Sequence, residues 1–367
     1  MKKQVVIKRI THPTTDSVTL WFDNVPELSE YKPGQHVSLT LQIEDEYVSR
    51  NYSFNTSPYT DDELGITIRA IPHGKVSTYL LTNAKTGMEV FLEGPLGDFS
   101  LQQADKHKKH YVFLAGGSGI TPIISMIRSI LYSDSNSMVS LIYANHSFMK
   151  IIFREEIAVL ERVFSNRFSA FHVLSDVSGM PEGFTPFYSG RLSRLIAKKQ
   201  IKQLMANIDL PTEFYLCGPL SFMEMLVETL SSMGISGESI HKEHFFVPGS
   251  ESTIDFDSLP PTEVIIRWRN QDRLVQVATG QSILDAALQC GLKLPHSCKE
   301  GQCGSCRSAL VSGSVELRKN HILTDSELRE GQVLLCEGFP ISSYVVIMPI
   351  NQPIASVKQS FNSAEII

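Results

Sequence analysis

The chain has 367 residues, 42% of them hydrophobic and 20% charged, which is the make-up of a globular protein and long enough for two or three separate cores. Its net charge of -6 at pH 7 argues against a nucleic-acid binder, whose surface would be basic. No apolar run reaches the roughly 18 residues of a membrane span, and the start "MKKQVVIKRITHPTTDSVTLWFDN" lacks a signal-peptide core. The expectation is a cytoplasmic monomer, in a compartment where structural disulfides are disfavoured.

Residues 1–104 are a series of β-patterned segments: "QVVIKRI", "VTLWF", "QHVSLTLQI", "YSFNTS", "LGITIRAI" and "MEVFLEGPLG". Turn signals such as "KPG" and "TDDELG" separate them at short intervals, which favours an antiparallel barrel or sandwich, and one helix is expected at "STYLLTNA". Within this part "RNYSFNTSP" joins a cation, an aromatic ring and a hydroxyl in Arg50, Tyr52 and Ser53. Those residues could meet a phosphate and a ring system, or simply form an edge strand. "IRAIPHGKVSTYL" adds Arg69 and a second turn leading into a helix, readable as an anion site or as an ordinary helix cap by Ser77.

Over 105–246 the pattern alternates between strands and helices. "HYVFLAGG", "VSLIYAN", "FSAFHVLSD" and "EFYLCGP" read as strands, and "TPIISMIRSILYS", "FREEIAVLERVFS", "RLSRLIAKKQ" and "SFMEMLVETLSSMG" as helices. That alternation implies a parallel sheet covered on both faces. "FLAGGSGITP" runs from the first strand through Gly116, Gly117 and Gly119 into a helix, a weak nucleotide signal on its own that gains weight from opening the α/β part.

Residues 247–262 are polar and proline-containing, and read as a linker; 263–350 follow as a third domain and 351–367 as a tail. "EVIIRWRN" and "RLVQVATG" suggest a hairpin, "SILDAALQCG" a helix and "YVVIMPI" a closing strand. Between them stands "PHSCKEGQCGSCRSALVSG", with a further cysteine in "GQVLLCEGF". The spacing Cys298-x4-Cys303-x2-Cys306-x29-Cys336 is that of plant-type ferredoxins, in which four thiolates hold a 2Fe-2S cluster. Gly301, Gly304 and Ser305 leave room for the loop to wrap a cluster and aim backbone N–H groups at its sulfurs. A structural zinc site is the alternative, although zinc motifs usually pair their ligands at short gaps. Cys290 reads as a small buried apolar residue.

In this order the motifs Arg50-x-Tyr52-Ser53, Gly74-Lys75-Val76-Ser77, "GPLGDF", "AGGSGITP", "LCGP" and "KEHFF" resemble the ferredoxin–NADP reductase superfamily. With the cysteine domain at the C-terminal side, the layout resembles oxygenase reductase components of the phenylacetyl-CoA oxygenase type and the NADH reductase of the hybrid-cluster protein. The resemblance implies an antiparallel β-barrel FAD domain, an α/β parallel-sheet nucleotide domain and an α+β β-grasp ferredoxin domain. It implies that Arg50, Tyr52 and Ser53 line the flavin, that Ile68, Arg69 and Ala70 meet its ribityl chain, and that Lys75, Val76 and Ser77 hold the pyrophosphate; "GPLGDF" favours FAD over FMN. Gly116, Gly117, Ser118, Gly119 and Thr121, with Cys217, Gly218 and Pro219, would receive NADH or NADPH.

On the same resemblance Ser53, Cys217 and Glu243 become candidate catalytic residues and Phe245 a flavin neighbour, while Cys217 is equally readable as a buried strand cysteine. One iron would take Cys298 and Cys303, the other Cys306 and Cys336. Where relatives often carry an Arg for a 2′-phosphate this chain has "YANHS"; His146 is a poor substitute at neutral pH, with Ser147, Lys150 and Arg154 nearby, which leans toward NADH. The implied activity is electron transfer from NAD(P)H through FAD and the cluster to an oxygenase component or a hybrid-cluster protein. The rival readings are a redox-sensing cluster module and a free-flavin or ferric reductase with a structural metal.

Overall fold

The computed structural model describes residues 2–44, 46–71, 74–101, 108–206, 208–244, 255–269, 271–320, 322–323, 327–328 and 330–350. Phe245, most of the expected linker and the tail 351–367 lie outside them. The chain divides into two compact units, Met1–Pro248 and Gly249–Ile367.

The first unit opens with β1 (Lys2–Val6), β2 (Arg9–Thr14), β3 (Ser17–Asp23), a short helix α1 (Pro26–Ser29), β4 (His36–Ile43), β5 (Glu46–Ser53), β6 (Glu63–Arg69), α2 (Lys75–Asn83) and β7 (Glu89–Leu96). They pair antiparallel in a sheet of order β1-β7-β4-β5 and another of order β2-β3-β6, linked by the bridge Phe54–Ile66. Alternation puts Val37, Leu39 and Leu41 of β4 and Val18, Leu20 and Phe22 of β3 into one shared core, which α2 closes with Val76 and Leu80. The antiparallel barrel is therefore realised as two sheets wrapped round one core. "YSFNTS" does not continue as a strand. β5 ends at Ser53, and Asn55, Thr56 and Ser57 turn instead toward the next domain.

That domain consists of β8 (His110–Gly116), α3 (Ile120–Ser133), β9 (Met138–Asn145), α4 (Arg154–Val163), β10 (Phe168–Leu174), β11 (Tyr188–Ser189), α5 (Arg194–Ala206), β12 (Thr212–Gly218), α6 (Leu220–Ser232) and β13 (Ile240–His244). The six-stranded sheet has the order β11-β10-β9-β8-β12-β13 and every pairing is parallel. α3 packs one face through Ile123, Ile127 and Ile130; α5 and α6 pack the other through Ile201, Met223 and Leu226. From β8 the chain goes outward to β9 on one side and later to β12 on the other. The carboxyl end of β8 is thus a topological switch point, where open α/β sheets bind ligands.

The two parts of this unit are fastened by α3. Ser125 Oγ donates to the Thr56 carbonyl at 2.5 Å, Ser129 Oγ lies 2.8 Å from Ser57 Oγ, and Arg128 reaches Asp61 at 2.5 Å and Glu156 at 3.3 Å. Burial raises the Glu156 carboxyl above its ordinary value, with Arg128 pulling the other way.

The second unit contains β14 (Thr262–Trp268), β15 (Gln271–Val277), α7 (Ile283–Gln289), β16 (Arg307–Ser312), β17 (Val315–Leu317), β18 (Gln332–Leu334), β19 (Gly338–Pro340) and β20 (Tyr344–Pro349). Its five-stranded sheet runs β15-β14-β20-β16-β18, with β14 and β20 parallel and their outer neighbours antiparallel. α7, capped by Ser282, buries Ile283, Leu284 and Ala287 against it, as expected of a β-grasp. Phe256 is buried and meets Phe339 at 4.8 Å, so the chain is already part of this unit by the second half of the expected linker.

Candidate functional site

The glycine-rich turn follows β8 at the switch point. Gly119 must be glycine for lack of space: a Cβ there would lie 2.1 Å from the Cys217 carbonyl oxygen. Gly117 has φ +54, and Tyr143 donates to its carbonyl at 3.0 Å. Thr121, in the first turn of α3, donates its hydroxyl to Ser118 O at 3.1 Å. The turn is thereby drawn onto the end of β12, where Cys217, Gly218 and Pro219 stand. All the expected nucleotide residues of the α/β domain are assembled at one place, with the α3 N-terminus favouring an anion.

Register brings the candidate catalytic residues out of two sheets. Ser53 is the cross-strand partner of His36, and Cys217 that of Glu243. His36 Nδ1 lies 3.4 Å from Glu243 Oε1, and both side chains are largely buried. Sequence reasoning missed His36; "KPGQH" read only as a turn and a strand start. Ser53 is 2% exposed, and its Oγ finds no hydrogen-bond partner among the described residues; the same holds for His36 Nε2 and Glu243 Oε2. Buried polar atoms are almost always satisfied, so such atoms mark where a polar ligand edge belongs. Burial, reinforced by Glu243, pushes the Cys217 thiol well up, which keeps it protonated and neutral.

The phosphate-side residues are arranged less fully. Ile68 is buried in the β3–β6 pair, and Ala70 donates to the Asp16 carbonyl at 2.8 Å. Arg69 Nε holds Asp16 at 3.1 Å; a Cβ on Gly117 would lie 2.9 Å from its guanidinium, so Arg69 overlies the nucleotide turn. Lys75 pairs with Glu46 at 2.6 Å, and Arg50 donates to the Ser49 carbonyl at 2.8 Å. Val76 is core, and Ser77 Oγ accepts from Ile71 N at 3.3 Å while Gly74 occupies the cap of α2. Tyr52 is half-buried beside the core, and burial raises its phenol.

At the adenosine end, β9 and β10 finish side by side. His146 Nδ1 is 3.1 Å from Ser175 Oγ and its Nε2 is 4.0 Å from Asp176. Of the neighbouring cations, Lys150 is held by Asp16 at 2.9 Å and Arg154 stacks on Phe148 at 4.2 Å. Asp176 was also missed; an acid directly after the strand "FSAFHVLS" was the available signal.

In the second unit the loop between α7 and β16 carries Cys298, Cys303 and Cys306, and Cys336 follows β18. Among the described residues all are free thiols; Cys298, Cys306 and Cys336 are buried, while Cys290, at the C-terminal cap of α7, is exposed and not buried as expected. Glu300 N and Gln302 N each donate to Cys298 Sγ at 3.4 Å, Gly301 N to Cys336 Sγ at 3.2 Å, and Cys298 N to Cys303 Sγ at 3.5 Å. Positive φ at Lys299, Gly301 and Gly304 curls the loop so that its amides point inward. The sulfurs form two pairs, Cys298 with Cys303 and Cys306 with Cys336. Hydrogen bonding within each pair holds Cys303 down to about 5 and also lowers Cys306, while their partners are pushed up.

In each pair one thiol is held below its ordinary value by its partner, in the direction of the thiolate form that binds metal. Among the described residues no three His, Cys, Asp or Glu side chains converge as they would on a single ion. Two sulfur pairs ringed by N–H donors fit a two-iron cluster better than one tetrahedral zinc.

Known proteins agree with this layout. Residues 5–101 match the oxidoreductase FAD-binding domain, 113–228 the oxidoreductase NAD-binding domain and 266–340 the 2Fe-2S iron-sulfur cluster binding domain. The chain is 30% identical over 352 residues to one component of the 1,2-phenylacetyl-CoA epoxidase of Escherichia coli, covering 94% of this chain and 96% of that protein. The chain belongs to the ferredoxin–NADP reductase superfamily, in its group with a fused 2Fe-2S domain. It is 31% identical over 330 residues to the ferredoxin reductase component of a 3-ketosteroid-9-alpha-monooxygenase from Mycobacterium tuberculosis, covering 88% of this chain and 86% of the relative. Phthalate dioxygenase reductase shares the fold at TM-score 0.59 and 21% identity, over 95% of this chain and 98% of that one. This superfamily member is an NAD(P)H-dependent oxidoreductase with FAD, NAD and 2Fe-2S domains. Among the described residues no helix is long and apolar enough to cross a membrane.

Proposed function

We propose that the protein is the NADH-oxidising reductase of an oxygenase system, passing electrons singly from its cluster to an oxygenase component. The observation that carries this reading is the loop of Cys298, Cys303 and Cys306, with Cys336 brought to it and N–H donors turned inward, on a chain that also has FAD- and NAD-binding domains. FAD, when bound, converts the hydride pair of a nicotinamide into single electrons, which is all a 2Fe-2S cluster can accept.

This chain's residues supply binding and placement. Arg69 and the Gly116–Gly119 turn receive the nucleotide pyrophosphate, and Gly218 and Pro219 shape the nicotinamide side. Cys217 stays a neutral thiol against the reacting edge. Ser53 donates to the polar edge of the flavin, and Glu243 with His36 can hold the proton that must leave when a hydride becomes two electrons. Asp176, beside His146, accepts from the adenosine ribose hydroxyls and repels a 2′-phosphate. With Lys150 and Arg154 already engaged, NADH is favoured over NADPH.

The relatives named above serve an epoxidase and a ketosteroid monooxygenase, which supports an oxygenase over a hybrid-cluster protein as the acceptor. The proposal includes a cytoplasmic monomer, since a reducing compartment keeps the cluster thiols available. Residues 1–104 and 105–246 are assigned to the first two domains, and 263–350, together with the Phe256 stretch packed on it, to the third. The test is Cys306→Ser: NADH-driven ferricyanide reduction should persist while cytochrome c reduction collapses. Loss of both, or of neither, contradicts the electron path.

A further inference from the structure

The residue that follows the last cluster ligand is a buried acid. Glu337 is 2% exposed, and Arg318 Nε holds its carboxylate at 3.1 Å while itself remaining 42% exposed. Arg318 N also donates to the Glu337 carbonyl at 2.8 Å, and its guanidinium lies over the Phe339 ring at 4.8 Å. Arg318 thus acts as a lid over a carboxylate that water scarcely reaches.

The stem of Glu337 serves the cluster loop as well. A Cβ on Gly301 would come within 3.2 Å of Glu337 Cγ and 2.7 Å of the Lys319 carbonyl, and Gly301 is the residue whose N–H donates to Cys336 Sγ. Burial raises the Glu337 carboxyl above its ordinary value and Glu300 adds slightly to this, while the Arg318 hydrogen bond and charge, with Lys319, pull it back toward the ionised form. A buried charge beside a redox centre acts through a low dielectric.

We propose that the Arg318–Glu337 ion pair sets the reduction potential of the cluster, Glu337 opposing electron uptake and Arg318 partly cancelling that charge. Reduction adds one electron, hence one negative charge, to the group held by the four cysteines. An adjacent carboxylate disfavours the product, and a guanidinium relieves it. Glu337 is a tuning and positioning residue and is no ligand. The inference rests on the 2Fe-2S reading of the site.

The test is a spectroelectrochemical titration of the holoenzyme at constant pH. The electron paramagnetic resonance signal of the reduced cluster is the readout, and the flavin couple is the internal control. Glu337→Gln keeps the stem against Gly301 and removes only the charge. It should raise the reduced-to-oxidised ratio of the cluster at a fixed ambient potential by about tenfold, ~59 mV for one electron, with the flavin couple unmoved. Arg318→Gln should lower the ratio by about threefold. A Glu337→Gln ratio within twofold of the parent, or below it, overturns the proposal.

If Glu337→Gln fails to assemble its cluster, Arg318→Gln decides alone: a fall supports the proposal, and no fall overturns it. If the parent protein shows no iron–sulfur absorbance, the cluster reading itself fails, which is a different result.

Discussion

Replacing Ser53 by alanine should separate its binding role from any structural one. The Ser53 hydroxyl is buried at 2% exposure without a hydrogen-bond partner among the described residues. Leaving such a group unmade costs about 1–3 kcal/mol, so removing it should leave the flavin-free fold as stable as before or about 1 kcal/mol more so. With flavin bound the same hydroxyl gains a partner. A neutral hydrogen bond contributes about 1 kcal/mol net, so Ser53→Ala should weaken FAD binding by about fivefold. Urea unfolding of flavin-free protein and fluorescence titration with FAD measure the two quantities separately. A variant that loses more than about 1 kcal/mol without flavin, yet binds FAD as the parent does, would refute the assignment.

Gly119→Ala should cost about 1–3 kcal/mol and loosen NADH binding, because its Cβ would strike the Cys217 carbonyl; calorimetry and KM for NADH read both. Arg128→Met strips the counter-charge from Asp61 and Glu156 between the two parts of the first unit and should cost about 3–5 kcal/mol, measured by chemical denaturation. Asp176→Ser should raise kcat/KM for NADPH relative to NADH, and an unchanged ratio would remove Asp176 from the specificity argument.

Stability should also depend on pH through His110, which is fully buried and held down to about 4 by desolvation. A base depressed below its unfolded value of 6.5 binds fewer protons in the folded state. Its contribution, about 3 kcal/mol at most, is therefore present above pH 6.5 and lost as pH falls toward 4. His172, held down to about 4 by burial, acts in the same direction. Equilibrium unfolding between pH 4 and 7 checks this; a flat profile would contradict it.

The fold was legible wherever local pattern and tertiary role coincide. The hairpin of β14 and β15, α7, and the alternation from β8 to α6 all follow from periodicity. The cysteine spacing marked the cluster loop because three cysteines on a short curled loop, with a fourth after a later strand, leave a rigid signature. Residues 54–57 misled, since Thr56 and Ser57 are taken up in hydrogen bonds to α3 that no local pattern encodes. His36 and Asp176 stayed hidden for a related reason. Each gains meaning only from a partner far along the chain, Glu243 for one and His146 for the other. Lys75 shows the reverse: the resemblance marks it for a phosphate, while in this structure its ammonium is paired with Glu46.

The most direct test of the electron path is anaerobic addition of NADH to the FAD- and iron-loaded protein, followed by absorbance and electron paramagnetic resonance. The account predicts that the flavin bands bleach and that the signal of a reduced 2Fe-2S cluster appears in the same sample. Bleached flavin with no cluster signal, in a protein shown to contain the iron, would contradict it.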